Sequence, residues 1–177
     1  MVLASLAALF RPSPELLLAL ALLEGSLRGP AYKLWESASF GSTPQERAAW
    51  VVPDGSEGVR WVNWPSGRRF LTEQWKGPVP AGVVAIVHTH PAMVDPKPSA
   101  QDVETARRLG VPVYTISRSA IWKAEPNGSI VSVDGERWWI ACGTGSCDDS
   151  RHPASRTAGN SAVPAEQRNL ESVSAYP

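Results

Sequence analysis

The 177-residue chain reads as an α+β domain. Three observations predict this. Short runs rich in β-branched and aromatic residues, such as Val59–Trp64 and Val113–Ser117, have the composition of strands. Turn signals such as Pro53-Asp54-Gly55, Pro65-Ser66-Gly67 and Pro126-Asn127-Gly128 separate several of them, which predicts hairpins. Two segments with helical character, one before the strands and one among them, interrupt the pattern.

In chain order, Met1 to Phe10 is apolar and alanine-rich, a short helix or a frayed start. Ser13 is placed to cap a helix with Pro14 at its first position, where the missing N–H costs nothing. That helix should run to about Leu27 and stop near Gly29-Pro30. It is apolar nearly all round, so it should be buried. Ala31 to Ser42 reads as a short strand or an extended connection ending in the turn residues Gly41 to Pro44. Gln45–Val52 and Val59–Trp64 read as strands, and Arg69–Trp75 as the hairpin partner of the second. Lys76–Gly82 is a proline-rich link.

The stretch from Val83 to Gly110 carries the chemistry. Val83–Val87 is an apolar run that reads as a buried strand ending in His88-Thr89-His90. Side chains two apart on a strand share a face, so both imidazoles can converge on one point. Pro91 ends the ladder because it has no N–H to donate. Ser99 to Asp102 then opens a helix that Gly110 closes. Two histidines and an aspartate from a strand end and a helix start form the ligand set of an open zinc site, with a fourth position for water. A plainer reading of Ser99 and Asp102 is a capping box that satisfies free helix N–H groups.

His88-Thr89-His90-Pro91 followed by Ser99-x-x-Asp102 resembles the signature of the JAMM (MPN+, JAB-type) zinc metalloproteases, His-x-His-Pro then Ser-x-x-Asp. Eight residues separate His90 from Ser99, one more than the usual pattern, and the extra residue falls in a loop. The resemblance covers roughly Gln45 to Val133. It implies a cytidine-deaminase-like fold, α/β in the broad sense, with a mixed, mostly antiparallel sheet flanked by helices. It also implies Zn2+ on His88, His90 and Asp102, and a general-base glutamate at the start of a strand. Glu46-Arg47-Ala48-Ala49-Trp50-Val51 is similar to that glutamate pattern. Glu36 is the rival, because the family sets its first helix immediately before the glutamate; Glu57 and Glu73 fit the pattern poorly. In such a site a Zn-activated water attacks an amide, Glu46 moves the proton and the Ser99 hydroxyl can donate to the oxyanion.

After the helix, Ile121–Ala124 and Ser129–Val133 should form a hairpin. Trp138 and Trp139 are placed to close the domain. From Gly143 the chain turns to Gly, Ser, Ala, Thr, Asn and Pro, which predicts a disordered tail. His152 lies within it and reads as a surface histidine. The expected layout is an N-terminal helical segment over 1–30, the metalloprotease-like domain over 31–140 and the tail over 141–177.

Lys+Arg and Asp+Glu both number 17, so no bulk charge favours nucleic acid or an acidic membrane surface. Leu16 to Leu23 is too short to span a bilayer and lacks a basic flank before Arg11. A cytoplasmic chain is therefore expected, with a degenerate export signal as the alternative. Cys142 and Cys147 make no disulfide framework; they read as one local disulfide or two free thiols. Trp64, Trp75 and Trp122 are sheet-core residues or parts of a substrate groove. The expected activity is peptide or isopeptide hydrolysis at the extended C-terminal tail of a ubiquitin-like or sulfur-carrier protein. Two alternatives remain: a weakly active or non-catalytic MPN/RadC-like binding module, and an exported small-substrate amidase or peptidase.

Overall fold

The structure, a computed structural model, describes residues 13–55, 58–65, 75 and 77–144. The predicted strand Arg69–Trp75, apart from Trp75, lies outside the described residues, as do Met1–Phe10, Glu57, Glu73, Cys147, His152 and the tail beyond 144.

Among the described residues the chain forms a mixed α+β fold on a six-stranded sheet. Strands β1 (Ala48–Pro53), β2 (Val59–Asn63), β3 (Ala85–Thr89), β4 (Val113–Ile116), β5 (Ile121–Ala124) and β6 (Ile130–Asp134) lie in the order β2-β1-β3-β4-β5-β6. Every neighbouring pair is antiparallel except β3 and β4, which are parallel. A parallel pair needs a crossover, and helix α3 (Ala100–Leu109) supplies it.

Two helices precede the sheet. Helix α1 (Pro14–Gly25) begins where expected, with the Ser13 side chain accepting from the Leu16 N–H. The stretch after it departs from expectation: Arg28–Ser37 is a second helix, α2, rather than a strand or extended connection. Gly29-Pro30 is not a stop signal but part of its first turn, where a proline lacks only an N–H that would have no helical partner. Helix α2 therefore crosses position 30, and both helices contribute to one core. A last short helix, α4 (Ile140–Gly143), follows Trp138 and Trp139. Among the described residues no helix is long and apolar enough to cross a membrane.

The strand period of two sorts the core onto two faces. On one, Val51, Ala85, Val87, Tyr114, Ile116 and Ile121 pack against Leu23 of α1, Leu27, and Ala31, Leu34 and Trp35 of α2. Trp35 is the hub, with ring centroids 5.2, 5.7 and 5.8 Å from those of Phe40, Trp138 and Trp139. Trp138 and Trp139 pack on this face, their indole N–H groups donating to the carbonyls of Ser117 and Arg118. On the opposite face, Val62, Trp50, Ile86, Val113 and Ala124 form one row across five strands, covered by Val103, Ala106 and Leu109 of α3.

Candidate metal centre

The next row on the α3 face changes character. Ala48 pairs with His88, His88 with Thr115, and Thr115 with Trp122. Two residues further on, just past the end of β3, comes His90, whose N–H still bonds to the Ile116 carbonyl. The apolar strand thus ends in two imidazoles on one face, at the point where the crossover loop leaves the sheet. Asp102 enters from above, in the first turn of α3.

The three side chains meet. His88 Nε2 and His90 Nε2 lie 3.1 Å apart. Asp102 Oδ1 is 3.5 Å from His88 Nε2, and Oδ2 is 4.0 Å from His90 Nε2. One ligand atom from each falls within 4.8 Å of the others, the geometry of a site that could hold a metal ion. Zn–N bonds of about 2.0–2.1 Å at tetrahedral angles put neighbouring ligand atoms roughly 3.4 Å apart, so the observed spacings fit a single small cation.

Protonation states agree with this. His90 Nδ1 lies 2.6 Å from the Asp95 carbonyl oxygen, which can only accept. Nδ1 therefore carries the proton, and Nε2 presents a lone pair to the site. Burial pushes the His88 imidazole down to about 4, against the pull of the Asp102 carboxylate and with some help from His90. Near neutral pH it is uncharged, as a metal ligand must be.

Ser99 and Asp102 form a complete capping box. Asp102 Oδ2 accepts from the Ser99 N–H and from its hydroxyl, both at 2.7 Å, while the Asp102 N–H donates to Ser99 Oγ at 3.2 Å. The plain reading and the ligand reading are therefore compatible. The cap occupies Oδ2 and turns Oδ1 toward His88.

Glu46 lies on the lead-in to β1. Its placement follows from register: Ala48 faces His88 across the antiparallel pair, so two residues earlier Glu46 stands opposite His90, on the same face. The ladder is continued there by Thr89 N–H to the Arg47 carbonyl and Arg47 N–H to Thr89 Oγ1, each 2.9 Å. Glu46 lines a cavity of about 410 Å³ together with His88, His90, Ser99 and Asp102. Glu36 is exposed on α2 and does not line it.

Some parts of the site had no counterpart in the sequence reading. The Asp95 carbonyl is a backbone group and leaves no residue signature. Thr115 Oγ1 donates to the Pro96 carbonyl at 2.9 Å and pins the loop to the sheet. Gly41, at φ +71°, accepts from the Ala92 N–H at 2.9 Å and supports the loop from below; its position after Phe40 in a run of turn residues was the available hint. Trp64 and Trp75 pack with Trp50, at centroid distances of 4.9 and 5.8 Å, as a side cluster of the α3-face core rather than as cavity walls. Trp122 lies beneath the Lys97 ammonium. Cys142 is disulfide-bonded.

The family model for prokaryotic homologs of the JAB domain matches residues 37–140, more than half of the chain. A solved structure, a JAB1/MPN domain protein from Archaeoglobus fulgidus, is similar at 20% sequence identity and a TM-score of 0.40, over 62% of this chain and 96% of that one. No curated protein matches. By the match over 37–140, the chain belongs to the prokaryotic JAB-domain family.

Proposed function

We propose that this JAB-domain protein is a zinc-dependent hydrolase of peptide or isopeptide bonds. The observation that carries the reading is Glu46: a carboxylate outside the metal-ligand triad lines the same cavity, in register with His90. Zinc on His88, His90 and Asp102 would supply a Lewis acid for an amide carbonyl and bring the pKa of a water toward neutrality. Glu46 takes the proton of the attacking water and passes it to the departing nitrogen as the C–N bond breaks. The Ser99 hydroxyl, which otherwise holds Asp102, can rotate to donate to the oxyanion. Asp95 keeps His90 in the tautomer that presents Nε2.

The substrate we favour is the extended C-terminal tail of a ubiquitin-like or sulfur-carrier protein, on the strength of family membership. The test is incubation with such proteins carrying a C-terminal extension, read by intact mass. The expected result is release of the extension by the parent and none by Glu46→Gln. If no amide bond is cut in any of them by the metal-loaded parent, this substrate class is wrong. The Ser99 hydroxyl, whose proton goes to Asp102 Oδ2 and not into the cavity, favours a second reading, a binding module in which the metal is structural. A parent and a Glu46→Gln variant that both hold metal, with neither cutting any substrate, would support that alternative.

A further inference from the structure

The metal cavity contains a charge that the reaction does not use. Its other charged side chains are the acidic ones of Glu46, Asp95 and Asp102, and Lys97 is the only lysine or arginine among the lining residues. Among the described residues no carboxylate forms an ion pair with the Lys97 ammonium, which instead rests 5.1 Å above the centre of the Trp122 ring. The Asp95 carboxylate is turned to the Lys97 backbone, accepting its N–H at 2.9 Å. A lysine on an exposed loop is ordinarily a mobile, solvated group. This one has a fixed base. Pro96 and Pro98 flank it, the Pro96 carbonyl is held by Thr115, and the Asp95 carbonyl is held by His90.

We propose that Lys97 is a specificity-determining residue that receives a substrate carboxylate near the amide to be cleaved. This rests on the hydrolase reading above. Trp122 shares a row with His88, one strand removed through Thr115. The backbone of Trp122 therefore stands roughly 10 Å from that of His88, two strand spacings, and the ammonium above its ring lines the same cavity as His88. An extended chain advances about 3.4 Å per residue. A carboxylate about two or three residues from the scissile amide thus reaches the ammonium, whether it is the C-terminal carboxylate of a short leaving segment or an acidic side chain. A divalent cation on the triad offsets two of the three lining carboxylates, and Lys97 balances the third, so without Lys97 a substrate carboxylate would enter a site of net negative charge.

The test uses full-length Glu46→Gln protein and three short peptides: acetyl-glycyl-glycyl-alanine, its carboxamide, and an acetyl-glycyl-glycyl-glutamate carboxamide. Titration calorimetry should find the free acid bound about tenfold more tightly than its carboxamide, as expected for one charge-assisted contact. Adding Lys97→Ala should bring that ratio close to one, and Lys97→Arg should preserve it. The glutamate peptide identifies the source: affinity like the free acid assigns a side-chain carboxylate, affinity like the carboxamide a C-terminal one. Equal binding of acid and carboxamide, or a preference that survives Lys97→Ala, overturns the proposal. Cleavage by the parent separates it from the hydrolase reading. Cutting of acid and carboxamide at equal rates sinks the role of Lys97 alone. A Lys97-dependent binding preference with no cleavage of any peptide or protein substrate sinks the hydrolase reading and leaves Lys97 as a carboxylate-binding residue.

Discussion

Ser99 caps a helix and, with the same hydroxyl, orients Asp102, a candidate metal ligand. Its oxygen accepts from the Asp102 N–H, and its proton goes to Asp102 Oδ2. Loss of an N-cap costs about 1 kcal/mol, and loss of a hydrogen bond to a ligand commonly costs about 10–100-fold in metal affinity. Ser99→Ala should therefore show both effects, in denaturant unfolding of the metal-free protein and in competitive zinc titration, while Ser99→Thr should keep most of each. Unchanged zinc affinity in Ser99→Ala would show that the cap does not orient Asp102. Gly41 makes a different demand. At φ +71° a side chain is strained, and a Cβ would come 3.3 Å from both the His90 carbonyl oxygen and the Ala92 nitrogen, both backbone atoms. Gly41→Ala should cost about 1–2 kcal/mol and weaken zinc binding, because the atoms it presses belong to the loop that follows His90. Full stability with unaltered zinc affinity would contradict that. At this scale the sequence alone picked out the three side chains that the fold brings together as a possible metal site, since His-x-His on a strand and Asp at a helix start are chemical patterns. It could not separate Glu46 from Glu36, because that choice depends on a strand register, and it could not reveal the Asp95 carbonyl.

The strands of the central stretch were readable because β-branched runs and turn residues agree in marking them. The segment before them was not. Ala31 to Ser42 holds Tyr32, Leu34 and Trp35, which fit a strand by composition, and Gly29-Pro30 looks like a break. Burial of Ala31, Leu34 and Trp35 against the sheet decides for helix, a tertiary gain that local propensity does not contain. If α2 is held by that packing, Trp35→Ala should cost about 3–5 kcal/mol. Chemical denaturation would show it as a lower midpoint at an unchanged slope. A loss below about 1 kcal/mol would mean that the aromatic cluster around Trp35 adds little to the fold. Crossover α3 is the other decisive element. Its capping box and Gly110 stop could be recognised from sequence, and the structure gives Gly110 the left-handed conformation that such a stop requires.

Across the whole molecule the two sheet faces divide the work. Among the described residues the N-terminal helices and the Trp138–Trp139 segment cover one face with a mainly apolar core, edged by the Arg28–Asp134 and Lys123–Glu24 ion pairs, while α3 covers only part of the other. The start of β1 and the end of β3 lie beside the start of α3, next to the parallel pair β3–β4, and there the polar groups converge. Ligands in α/β sheets favour such strand ends, where the crossover leaves space. The metal content of the purified protein tests this arrangement most directly, measured by elemental analysis without added metal beside Asp102→Ala and Glu46→Gln. The expected result is about one zinc per chain in the parent, loss in Asp102→Ala and retention in Glu46→Gln, since only the first removes a ligand. A folded parent that holds no zinc and takes up none on titration would contradict the metal centre, and with it the hydrolase built upon it.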